Sequence, residues 1–368
     1  MYRKVSFLGF LSFVCQACFF PPMAFNLYSA ATAALLAGSV AATPLSLVTR
    51  AASNVSNADT SLTFIYQNNL NASDDVNHVG AILLDSMTYT AGVAACAAIG
   101  ESLLTQATLN AHAADFEHSL SYLEYSGQVN YYQSYFIANG TVAYNQWGNC
   151  LDFQSQQSQQ YGYQRGNQEL PILCTQSSNQ NEASNAVATA SNELSIASSG
   201  NTYVGFRNQK SFRFIGIPYA NQPARFEYST VYNQTGQTIQ ATAYGGDCAQ
   251  PYNPASVENC LFINIQTPYI PKAGSTKGLK PVLFSIHGGG FTGGDGAADS
   301  GLDAGNLASR EDIVGVEINY RLTTLGFLAI PGTDIKVRSI DKIGVGARTL
   351  MMSRATSVLA IRSPRCSG

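Results

Sequence analysis

The stretch PVLFSIHGGGFTGG, residues 281–294, decides how the chain is read. Val282–Ile286 is almost wholly apolar, which predicts a buried strand. It runs into His287 and then Gly288, Gly289 and Gly290. A strand ending in three glycines exposes main-chain N–H groups that no side chain can crowd, as acyl transfer requires where a tetrahedral oxyanion develops. A second apolar run, Ile313–Ile318, interrupted only by Glu317, follows after Gly-rich and helix-compatible sequence. That spacing suits a crossover between strands of an α/β sheet.

Upstream, Tyr203–Arg207 and Ser211–Ile217 alternate as a hairpin around Asn208 and Gln209, and Leu261–Gln266 reads as a further strand. Residues 177–202 hold seven serines and five asparagines with few bulky apolar side chains, so they are expected to be a linker. Residues 43–176 mix apolar runs, a helical stretch near Ala94–Leu104 and a Tyr-rich segment from Tyr122 to Tyr144. They are expected to form a separate α+β extension of unknown function. No internal repeat is present.

Five ordered segments carry a family likeness: FRFIGIPYANQPARF (212–226), ATAYGGDC (241–248), VENCLFINIQTP (257–268), PVLFSIHGGGFTGG (281–294) and INYRLTTLGFL (318–328). Residues 203–336 resemble the N-terminal part of the type-B carboxylesterase/lipase family of α/β-hydrolases. The resemblance implies a partial α/β-hydrolase fold, comprising the N-terminal hairpins and first strands of the central sheet. It also implies Gly289 and Gly290 as oxyanion-hole amides and Cys248–Cys260 as the family's first disulfide. The implied reaction is hydrolysis of a small-molecule or lipid carboxylic ester through a Ser-His-acid triad, without cofactor or metal. Asn259 stands where the family pattern usually has Asp, and the cysteine loop is short.

The nucleophile is not found. No G-x-S-x-G occurs in the sequence, and the one histidine in the matching region, His287, has an architectural place beside the glycines. The chain as written is therefore expected not to run an acyl-enzyme cycle. The likeness stops at Lys336. Residues 337–368 carry six of the 20 basic residues, one acidic residue and no aromatic side chain, so they read as a non-homologous basic tail from a frameshift, retained intron or alternative transcript end. Exposed sheet edges and poor solubility are expected of such a chain.

Composition fits a secreted product. Only 12% of residues are charged, 45% are hydrophobic, and the net charge of −3 gives nucleic acid nothing to hold. Arg3 and Lys4 precede an apolar run over residues 5–20, too short for a stable membrane span. Residues 30–42 form a second run with a better cleavage site after Ala42, so residues 1–42 read as a signal segment, with Met23 the expected start. Asn54, Asn71, Asn139 and Asn233 lie in sequons and are candidate glycosylation sites. Cys15 and Cys18 leave with the signal, and Cys366 lies in the tail. In an oxidising compartment Cys248 and Cys260 close a short loop, while one of Cys96, Cys150 and Cys174 is left over.

Other patterns are set aside. Gly288-x-Gly290-x-x-Gly293 matches a dinucleotide fingerprint but lacks the long helix and ribose-binding acid that would follow. His112, Asp115, Glu117 and His118 read as a solvated helix face rather than a metal cluster, and Arg321 as half of an ion pair at a strand end. Cys96, YFIANG (135–140), WGNC (147–150) and LPILCTQ (170–176) resemble the layout of C-type-lectin-like domains. The alternative function is accordingly a non-catalytic binding or adhesion protein with a lectin-like N-terminal module.

Overall fold

A computed structural model of the chain describes residues 59–144, 151–155, 168–181, 186–275, 278–297 and 304–331. The expected signal segment, Asn54, Cys15, Cys18, Cys150, Cys366, Trp147 and the tail lie outside them.

Two mixed sheets make up the α/β architecture. The first takes β1 (Leu62–Ile65), β2 (Ala81–Met87), β3 (Ser134–Ile137), β4 (Gly140–Tyr144), β5 (Leu151–Ser155) and β6 (Leu170–Thr175). The second takes β7 (Glu193–Ser198), β8 (Asn201–Arg207), β9 (Phe212–Pro218), β10 (Thr238–Gln240) and β11 (Phe262–Thr267). Strand β12 (Tyr269–Ile270) returns to the first sheet, and β13 (Val282–Ile286) and β14 (Val314–Ile318) complete the second. Helices α1 (Tyr89–Ala98), α2 (Gln106–Ala111) and α3 (Ala113–Tyr125) belong to the N-terminal part. Helix α4 (Gly305–Glu311) lies between β13 and β14, and α5 (Thr323–Phe327) follows them.

The second sheet runs β10-β8-β9-β11-β14-β13, with β7 paired to β8. The β8–β9 hairpin turns where the sequence places it. The Asn208 Oδ1 atom accepts the N–H groups of Lys210 and Ser211, both at 2.9 Å, an Asx turn that closes the reversal. Strands β13 and β14 are parallel, with Ser285 opposite Glu317 and Ile286 opposite Ile318, as the crossover spacing implies.

Two expectations are corrected. The segment expected as a linker contains β7, where Leu194 and Ile196 are buried against the core. Ser195, between them, is buried as well, so the polar composition concealed a strand covered on both faces. The N-terminal part is also not separate. Leu62 pairs with Ile270, Phe64 meets Phe212 edge to face at 5.3 Å, and one apolar core takes residues from both sheets. At the tip of the β8–β9 hairpin, buried Lys210 reaches buried Asp75 at 2.7 Å, and the Tyr66 hydroxyl donates to the same carboxylate at 2.8 Å. Strand β13 is an edge strand paired only with β14 among the described residues. Leu283, Phe284 and Ile286 are 40%, 40% and 57% exposed, in line with the exposed sheet edge expected of the chain.

Disulfides fix two places. Cys96–Cys174 ties α1 to β6, where Gly92 lets the helix approach so closely that an added Cβ would lie 2.4 Å from Ile172. Cys248–Cys260 closes the short loop below the glycine segment.

Candidate functional site

The glycine segment leaves β13 at His287. The imidazole stacks on Tyr320 with centroids 4.3 Å apart, and the Tyr320 hydroxyl donates to the His287 carbonyl at 2.9 Å. Nδ1 of His287 lies 2.9 Å from the Gly288 carbonyl, which can only accept, so Nδ1 carries the proton. Its Nε2 atom is buried and has no partner among the described residues. The ring is thus an architectural part of the strand end, as its place in the sequence implies.

Beyond it the chain needs glycine for steric reasons. Gly289 has φ +112°, and a Cβ there would lie 1.9 Å from the Gly293 carbonyl oxygen. Gly294, at φ +108°, would place a Cβ 2.5 Å from His287 Nδ1. At Gly290, φ is +60° and nothing lies within 4 Å of the added atom. The Gly289 carbonyl accepts from the N–H and hydroxyl of Thr292, each at 3.1 Å, so the loop folds back on itself. Among the described residues, the amides of Gly289 and Gly290 donate to no protein acceptor, and both residues are exposed.

Three amide side chains brace this loop. Gln250, inside the Cys248–Cys260 loop, accepts the Gly294 N–H at 2.9 Å and donates to the carbonyls of Gly294 and Cys248, both at 3.2 Å. Asn319, just after β14, accepts the Gly296 N–H at 2.6 Å and donates to Gly246 at 3.1 Å. Asn264, on β11, donates to the Gly296 carbonyl at 2.8 Å and accepts from Gly216 at 2.8 Å. Phe291 packs against Phe327 at 4.7 Å, while its carbonyl takes the N–H of Thr323. Sequence reasoning did not single out these amides, although Asn264 and Asn319 lie within quoted segments.

Burial shifts three titratable groups around the loop. Burial pushes the Tyr219 and Tyr320 hydroxyls up. Tyr219 donates to the Asn319 carbonyl at 2.7 Å. Burial pulls Arg321 down, and its guanidinium donates to the Glu227 carbonyl at 2.8 Å. Among the described residues Arg321 makes no ion pair, which corrects the strand-end expectation.

The carboxylesterase family model matches residues 198–336. This segment is similar to the carboxylesterase family. Acetylcholinesterase-1 from Trittame loki is 37% identical over 131 residues, covering 32% of this chain and 23% of that protein. Para-nitrobenzyl esterase from Bacillus subtilis is 36% identical over 125 residues, covering 31% and 24%. The chain therefore spans about a quarter of the length of these curated relatives. A solved PNB esterase structure aligns over 45% of this chain and 34% of its own, with 28% identity and a TM-score of 0.36.

Elsewhere, the helix face read as solvated is partly buried. Asp115 is 7% exposed and accepts from His78 Nδ1 at 2.8 Å, with His112 3.7 Å away. Among the described residues no group of His, Cys, Asp and Glu could hold a metal ion. Asn71, Asn139 and Asn233 are exposed. No helix among the described residues is long and apolar enough to cross a membrane.

Proposed function

We propose that the carboxylesterase segment presents Gly289 and Gly290 as oxyanion-hole amides for a carboxylic ester, in a secreted protein modified at one or more of its sequons. The observation carrying this reading is the strained glycine loop, with two uncommitted amides at the end of a parallel strand. Such donors, fixed before reaction, stabilise negative charge as it develops on the carbonyl oxygen. Secretion is supported by the apolar N-terminal runs and by two disulfides, which persist in oxidising compartments. The family reaction also needs a nucleophilic serine, a histidine base and an acid. The sequence contains no G-x-S-x-G, and His287 is committed to Gly288 and Tyr320. We therefore infer that this chain does not itself form an acyl-enzyme.

Incubation with a fluorophosphonate probe and p-nitrophenyl butyrate tests that inference. Neither labelling nor a burst of p-nitrophenol is expected, and either one overturns it. The oxyanion assignment is tested in a transcript product that continues past Lys336 into a G-x-S-x-G. There, Gly289→Ala should lower kcat by about 10²- to 10³-fold, the usual effect of losing one such donor. Unchanged kcat refutes the assignment.

A further inference from the structure

The amides of Gly289 and Gly290 are fixed through the far ends of their own peptide units. In a trans peptide the N–H points away from the C=O of the same plane. The direction of the Gly289 N–H is therefore set by whatever holds the Gly288 carbonyl, and that of the Gly290 N–H by whatever holds the Gly289 carbonyl. Neither glycine has a side chain to bias its plane, and both lie at positive φ.

The planes are held unequally. The Gly288 carbonyl accepts from His287 Nδ1 at 2.9 Å. The Gly289 carbonyl accepts three donors: the N–H and hydroxyl of Thr292, each at 3.1 Å, and the Gly293 N–H at 3.3 Å. The Gly290 carbonyl accepts none among the described residues, so the plane that carries the Phe291 N–H has no such anchor. Two of the three donors on Gly289 are main-chain groups, which any residues but proline would supply at positions 292 and 293. Only the hydroxyl depends on the side chain at 292. Thr292 is exposed, so core packing does not account for that side chain.

A carbonyl loaded with donors also polarises its own amide. Hydrogen bonds linked through one peptide unit strengthen each other by about 10–30% per bond. The Thr292 hydroxyl thus turns the Gly290 N–H outward and makes it a stronger donor. We propose that Thr292 is a positioning residue of the oxyanion site, acting through the Gly289–Gly290 peptide. Its role in catalysis rests on the ester-hydrolase reading, whereas its effect on the peptide can be measured without turnover.

The test compares Thr292→Val, which keeps the shape and the main-chain donors, with Thr292→Ser, which keeps the hydroxyl. In the isotope-labelled full chain, nuclear magnetic resonance should show the Gly289 carbonyl carbon and the Gly290 amide proton both moving upfield in Thr292→Val. Both should stay near the parent positions in Thr292→Ser, and the Gly296 N–H, bound to Asn319, should not move in either. Unmoved Gly289 and Gly290 signals in Thr292→Val overturn the proposal. In a transcript product that continues into a G-x-S-x-G, Thr292→Val should lower kcat about two- to tenfold, the worth of one neutral hydrogen bond, with KM unchanged and Thr292→Ser restoring the rate. If Gly289→Ala lowers kcat there and Thr292→Val does not, the positioning role falls and the oxyanion assignment stands. If Gly289→Ala leaves kcat unchanged, the assignment falls and takes this role with it.

Discussion

Replacing Arg207 by Met tests the claim that the N-terminal part and the carboxylesterase segment fold as one body. Arg207, at the end of β8, is 1% exposed. Its guanidinium pairs with Glu101, from the loop after α1, and also donates to the carbonyls of Ile99 at 3.0 Å and Ser191 at 2.9 Å. Removing one member of a buried pair costs about 3–5 kcal/mol, because the other charge is left in a medium that solvates it poorly. Glu101 would keep three bonds, from the Ser177 N–H and hydroxyl and the Thr175 hydroxyl, which places the expected loss near the lower end, about 3 kcal/mol. Urea unfolding followed by far-UV circular dichroism measures it. The transition should remain single and move as a whole. Adding Glu101→Gln to Arg207→Met should recover a substantial part of the loss, since the amide can still accept those bonds without a charge to solvate. A loss below about 1 kcal/mol, the level of an exposed pair, refutes the burial argument. Two separated transitions, only one of them shifted, refute the single body.

Further outcomes follow from the same contacts. The Cys96–Cys174 bridge spans 78 residues, so in the chain-entropy account its removal in Cys96→Ser/Cys174→Ser should cost about 4.5 kcal/mol by urea unfolding; a loss under about 1 kcal/mol would contradict that account here. Burial alone would lower the His78 pKa, but the carboxylates of Asp115 and Asp74 outweigh it and hold the folded value above 6.5. The resulting stabilisation is complete below pH 6.5 and fades as pH rises through the folded value. The melting-temperature gap between the parent and His78→Asn should therefore shrink from mildly acidic to alkaline buffer, and a gap that widens would reverse the assignment. Gln250→Ala removes the clamp on Gly294 at about 1 kcal/mol per lost bond. Amide exchange at Gly294 should accelerate about tenfold, and unchanged protection would show that Asn264 and Asn319 suffice.

The features legible in the sequence share one property: a short pattern determines them locally. The β8–β9 hairpin follows from alternation about an Asx turn. The β13–β14 pair follows from two apolar runs at crossover spacing, and the loop between them from glycines whose φ values exclude a side chain. What was hidden depends on distant partners. Strand β12 is two residues long and carries no periodic signal, yet it joins the sheets by pairing with β1. Asp115 has the composition of a solvated helix face, and the arrival of His78 and the Val79 N–H from far upstream explains its burial.

The bracing of the glycine loop explains why its supports are amides. Five glycines between 288 and 294 give the segment a large conformational entropy to lose, on the order of 1–2 kcal/mol for each residue fixed. Preorganisation therefore needs hydrogen bonds from outside the loop. Charged side chains could supply them, but on the proposed reading a carboxylate accepting the Gly294 N–H in place of Gln250 would oppose an oxyanion at Gly289 and Gly290. A cation there would attract solvent anions to the same amides. Gln250, Asn264 and Asn319 fix both the N–H and C=O sides of the loop with neutral groups that can donate and accept at once. On the proposed reading, a negative charge developing at Gly289 and Gly290 meets a loop held by neutral dipoles already in place.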